Sequence, residues 1–374
     1  MRRVLWMVLC FAFVLLPLYA RAESTGDIYA EQFEQSGAAD LYESLSPETQ
    51  EILRKWGIEQ ADWEQLLSGD MQNVAESVWT MFLERFRQPL NVLCVLLGVV
   101  LLCAWTDGLR AGLTVSSVSD VFRTVCVLSV CAVVSVPLTQ CLQTVSAALE
   151  SVSVFMYSFV SVYAGILLTG GHAAVAMSNR SVLLGAGQFL TQAVRRTVLP
   201  ITACCMALDV TGSAATGVRP QGVGRFLSRV SVWMLGGMST LFVGMLTLRN
   251  TLGTAADSVG GRMARFSLAG FIPVVGGALG EALSTVQNCL TLLRGTVGMF
   301  GVVAIVAIVL PPVLQCVAWQ LCVSAAEAAA ELFGLTPVQM LLKGLGTALK
   351  TMIAALALCA LFMVVSTTVV MGGT

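Results

Sequence analysis

The residue around which chemistry could be built in this chain is Glu281, an acid inside the apolar run from Arg262 to Arg294. Gly276, Gly280, Ser284 and Asn288 succeed one another at i, i+4, with Glu281 and Thr291 on the edge of that row. Leu279, Leu283, Val286, Leu290 and Leu293 take the other side. One face is therefore small and polar and the other apolar. In a membrane this division has two readings. Small residues at four-residue spacing let another helix approach closely. Alternatively, Glu281, Asn288 and their neighbours line a wet cavity, because an ionisable group at bilayer depth is costly unless it meets water or a partner. Either way the face turns toward protein rather than lipid. Pro273 lacks an N–H and disfavours the helical region for Ile272, so a helix break is expected there, with a restart near Gly276. Pro311 and Pro312 mark a second expected break.

Other candidate acids are Glu150 and Asp209 within apolar stretches, with Asp107, Asp120 and Asp257 near their ends. No catalytic set assembles around them. His172 is the sole histidine, which argues against paired-histidine zinc sites and histidine-dependent nucleophiles. There is no phosphate-binding loop and no dinucleotide fingerprint. The 12 cysteines lie in or beside apolar runs without C-x-x-C spacing and read as small core hydrophobes, so neither a metal nor a cofactor is expected.

The elements that must position these residues are helical and apolar. Hydrophobic residues make up 56% of the chain and charged residues 11%, against roughly 25% charged in soluble domains, which indicates an integral membrane protein. Arg2 and Arg3, an apolar run from Val4 to Leu18 and Ala20-Arg21-Ala22 form a secretory signal with cleavage after Ala22; an uncleaved anchor is the alternative. Residues 23–88 are acidic and the remainder has mostly arginine in its loops, the polarity expected of an exported segment before a membrane domain. Within 23–88, Ser46-Pro47 starts a short helix that Gly57 stops. A later helix places Met71, Val74, Val78, Phe82 and Phe86 on one face, either on the membrane surface or in a small core.

Membrane spans are expected at Asn91–Trp105, Val125–Leu138 and Val152–Thr169, with Gln140–Glu150 as a turn. Ser181–Val194 and Thr197–Val210, separated by Arg195-Arg196, are short enough for a hairpin or re-entrant pair. Val230–Leu248, Val297–Ala325 and Leu345–Val370 follow, giving an all-α polytopic protein of about seven or eight spans: 1–22 signal, 23–88 extracytoplasmic helical domain, 89–374 membrane domain with its core element at 262–294.

By residues alone two functions remain open: a subunit of a membrane assembly, and a secondary permease that couples an ion through Glu281. The run Asp257 to Gly301, with FIPVVGG at its centre and GTVG after Arg294, resembles the signature region of the stage III sporulation protein AE family. The resemblance implies a membrane subunit of the secretion-like channel between mother cell and forespore, supporting late forespore gene expression. It implies as partners other products of the same sporulation gene cluster, among them a cytoplasmic ATPase and ring-forming membrane proteins. A forespore-side channel protein, a YidC-type membrane insertase and further copies of the chain are also implied. The location implied is the mother-cell membrane around the forespore, with the N-terminal domain outside the cytoplasm.

Overall fold

The computed structural model describes residues 33, 37–38, 40–58, 71–110, 116–169, 185–214, 222–245 and 276–371. Among them the regular structure is helical throughout. The expected signal, Pro273 and the link at 246–275 lie outside the described residues.

Two short helices come first, α1 (Asp40–Glu43) and α2 (Pro47–Lys55). Ser46 caps α2 by accepting from the Thr49 N–H at 3.4 Å, with Pro47 in the first turn where a missing N–H costs nothing. Gly57, at φ +78°, ends it. The Ile58 N–H reaches Leu53 O at 2.9 Å and the Gly57 N–H reaches Arg54 O at 3.0 Å, the Schellman pattern. Gln50 ties the pair together: its Nε2 donates to the carbonyls of Tyr42 (3.0 Å) and Leu45 (3.1 Å), while the Tyr42 hydroxyl donates to Gln50 O. Leu41, Leu53 and Trp56 are buried in the same apolar core as the long helices, so this segment shares their interior instead of building its own.

Helix α3 (Met71–Arg110) runs unbroken through Pro89. The amphipathic helix and the first span are thus one rod of about 60 Å, and the boundary expected at residue 88 falls inside it. A helix-interior proline costs about 3 kcal/mol. Met81, Leu96, Val100 and Cys103 are buried on both sides of it, and this tertiary packing overrides the local preference.

Helix α4 (Ser116–Thr169) likewise passes through Pro137 and through Gln140–Glu150, where a turn was expected. That segment contains neither glycine nor proline, and its one acid is insufficient to end a helix whose Cys141, Val145, Ala148 and Leu149 are buried.

The expected hairpin is also replaced by one helix. Residues 185–193 are helical, Val194–Val198 forms a single π turn, and α5 (Leu199–Ala214) continues in helical geometry. The turn lies just ahead of Pro200, whose ring would otherwise meet the carbonyl four residues back; widening the turn at that place relieves the conflict. Helix α6 (Gly222–Met245) follows.

The centre of the bundle is a hairpin of α7 (Gly276–Leu332) and α8 (Thr336–Met371), reversed at Gly334 with φ +70°. Pro311 and Pro312 lie buried inside α7 and do not break it, contrary to expectation. Ala304, Ile305, Ala307, Ile308, Cys316 and Trp319 are packed on both sides of the pair, and this tertiary packing overrides the local preference. Among the described residues five helices are long and apolar enough to cross a membrane: Val74–Gly108, Thr124–Tyr163, Gly222–Met245, Thr291–Leu332 and Thr336–Thr368. The expected seven or eight counts α4 as two spans and residues 185–214 as two more.

Candidate functional site

Gly276, Gly280, Glu281, Ser284 and Asn288 all fall in the first turns of α7, so the backbone places them on one helical face as their spacing requires. Their side chains lie outside the described residues. The polar groups that the structure does place in contact are elsewhere, and each is set by helix pairing.

Glu150 and Arg195 form the first. Their side chains, 45 residues apart in sequence, meet at 2.8 Å between Arg195 Nη2 and Glu150 Oε2. Arg195 lies within the π turn and Glu150 on α4. The two half-exposed side chains neutralise each other inside stretches that are otherwise apolar, which is how a charge near a membrane is made tolerable. Glu150 is identifiable from sequence as an intramembrane acid; its partner is not, because Arg195-Arg196 reads locally as a loop marker.

Three residues deeper on α4, the same two elements meet again. Gln188 Nε2 donates to the Ser153 carbonyl at 3.1 Å. The buried Gln188 Oε1, Ser153 Oγ and, on α8, Ser366 Oγ have no hydrogen-bond partner in the structure. Ser366 occupies the space left by the absent side chain of Gly187, 3.0 Å from where a β-carbon would stand. Most other hydroxyls in these helices, such as Ser129, Thr144, Thr191 and Thr351, donate to a carbonyl one turn back. Ser153 and Ser366 depart from that habit at a junction of three helices.

Asp209, on α5, packs its carboxylate against Gly344 of α8 and approaches Gly224 of α6, where a β-carbon would be 3.3 Å from Oδ1. Cys205 Sγ meets the Gly224 carbonyl at 3.6 Å one turn earlier. Two glycines thus admit an acid to the contact between three helices. Of the sequence candidates, Glu150 and Asp209 lie at such contacts, and Glu281 occupies a helical position only.

Arg85 on α3 links the N-terminal helices to the bundle. Its Nη2 pairs with Glu48 of α2 and its Nη1 donates to Gln315 Oε1 of α7 at 3.2 Å. Thiol pairs add contacts of another kind: Cys103 with Cys126 between α3 and α4, and Cys141 with Cys316 between α4 and α7. Among the described residues, no group of three or more His, Cys, Asp and Glu side chains could hold a metal ion. These arrangements hold the helices to one another.

Residues 62–374 match the family described as stage III sporulation protein AE. A protein named stage III sporulation protein AE from Bacillus subtilis (strain 168) is 23% identical over 223 residues, which cover 60% of this chain and 56% of that protein. The match thus spans little more than half of the relative's length. No solved structure matches.

Proposed function

Since this chain belongs to the stage III sporulation protein AE family, we propose that it is a membrane subunit of the secretion-like channel linking mother cell and forespore during endospore formation, where it supports late forespore gene expression. The observation that carries the reading is the extent of the family match: 62–374 includes the five helices that, among the described residues, are able to cross a membrane. Family membership supports a role in stage III of sporulation, and the apolar helices support a multi-pass membrane location. The partners would be products of the same sporulation gene cluster, a forespore-side protein and an insertase of the YidC type. The membrane would be that of the mother cell around the forespore.

The test is to extract the tagged full-length protein from sporulating membranes in mild detergent and determine the particle's mass and composition. A large particle carrying the other cluster products supports the subunit reading. A monomer or dimer that comes away alone, and transports a solute when reconstituted, would replace it with a permease.

A further inference from the structure

Helix α4 buries Leu138, Cys141, Val145, Ala148, Leu149, Val152, Phe155, Phe159 and Tyr163. The face it leaves exposed is different in kind. Thr139, Gln143, Ala147, Glu150, Tyr157 and Ser161 follow each other at three- and four-residue steps, with Val154 the large apolar side chain among them. Thr139 and Ser161 satisfy their hydroxyls on Ser135 O (2.8 Å) and Tyr157 O (3.1 Å), so those two would tolerate hydrocarbon. Gln143 and the Glu150–Arg195 pair would not. A carboxamide or an ion pair facing acyl chains loses the water it needs without compensation.

The depth of this face follows from contacts on the neighbouring helices. Gln188 reaches Ser153 O, and Leu190 packs with Phe242 of α6 and Phe362 of α8, whose ring centroids are 4.5 Å apart. Leu190 and Arg195 are about 7.5 Å apart along one helix. The level of Glu150 is therefore close to that of Phe242 and Phe362. Beside each member of that apolar cluster stands an outward-facing apolar residue: Phe189 and Leu241, both 71% exposed, and Leu361. At one height, then, the outer surface is apolar on the 185–193 helix, α6 and α8, and polar along α4. At this height α4, α6 and α8 are all helices able to span a membrane, and the 185–193 helix packs beside them.

We propose that the exposed face of α4 from Thr139 to Ser161 looks onto water at bilayer depth, as a wall of an aqueous path, while Phe189, Leu241 and Leu361 face lipid. This deepens the channel reading and rests on it for the path's purpose, though the wetness of the face is tested separately from assembly. Single variants Gln143→Cys, Ala147→Cys, Phe189→Cys and Leu241→Cys of the full chain would be placed in membranes of sporulating cells. Each would be treated with a charged, membrane-impermeant methanethiosulfonate, and modification at each site followed by peptide mass spectrometry, which separates it from the native cysteines.

Modification of residues 143 and 147 about tenfold or more faster than of 189 and 241 is the expected result, because a charged reagent is depleted from hydrocarbon by more than that factor. Fast modification at all four sites would overturn the proposal by placing the whole level outside the bilayer. Slow modification at all four would overturn it too, and if the large particle still forms, the subunit reading stands without the wet wall. Co-purification of that particle in each variant shows that the substitution has not simply unfolded the protein.

Discussion

Phe159 lies against the backbone of Gly301, so that a β-carbon on residue 301 would stand 2.5 Å from Phe159 Cε2. This contact joins α4 to α7 at the centre of the bundle, and Phe159 cannot retreat. It is fully buried, with Phe155 on one side (ring centroids 6.1 Å) and Tyr163 on the other (5.7 Å). Gly301→Ala is expected to destabilise the detergent-solubilised protein by about 1–3 kcal/mol, the cost of overpacking a close-packed interior. Thermal unfolding followed by intrinsic fluorescence measures it. If Gly301→Ala unfolds at the parent temperature, the two helices are not in contact as described.

The Gly344–Asp209 contact looks similar and should behave differently. Asp209 is half-buried and its carboxylate can rotate aside, so Gly344→Ala should cost less than Gly301→Ala, about 1 kcal/mol. Asp209→Ala should recover most of that loss in the double variant, since the two sites are in direct contact and their effects will not add. Equal, additive losses would show that the carboxylate does not occupy the space above Gly344.

The Glu150–Arg195 pair has side chains 57% and 30% exposed. A pair this open to solvent contributes about 0.2–1 kcal/mol by double-mutant cycle. Glu150→Gln, Arg195→Gln and the double variant, compared by thermal unfolding at low and high salt, would give a coupling in that range that shrinks as salt rises. No coupling at low salt would mean that the ion pair does not hold α4 to the π turn.

Arg85 grips both Glu48 and Gln315. Arg85→Ala should free α2 from the bundle more often, and trypsin should then cut after Arg54 or Lys55 severalfold faster than in the parent, because cleavage requires local opening. Unchanged cleavage would place the anchoring of α2 in Leu53 and Trp56 alone.

For the start of α7, sporulation efficiency discriminates the two readings of the small polar face. Glu281→Gln is expected to leave close packing nearly intact and to impair ion coupling, whereas Gly280→Leu should damage packing under both. Normal sporulation in both variants would remove this face from consideration.

These outcomes also show what can be read from sequence. Ser46, Pro47 and Gly57 define α2 correctly because caps and stops act within a few residues. The membrane class follows from composition, since no local accident can hide so much apolar length. Pro311 and Pro312 mislead for the opposite reason: each has a local cost near 3 kcal/mol, and the packing that outweighs it comes from residues far away in the chain. Arg195 and Glu150 are both visible as charges, yet their pairing depends on the course of two helices. Gln188, Ser153 and Ser366 carry no signal at all, because their meeting depends on how three helices pack.

The π turn at Val194–Val198 acts as a phase shifter. Each residue of an α-helix rotates the next by about 100°, and a turn that closes five residues ahead absorbs one residue more than its neighbours. The angular setting of α5 is thereby uncoupled from that of residues 185–193, so that one half of the rod can seat Gly187 and Gln188 while the other half independently aims Asp209 at Gly224 and Gly344. Taking one residue out of this turn would leave the first half in register and swing the second by more than a quarter of a revolution, carrying its acid out of the cleft between two helices.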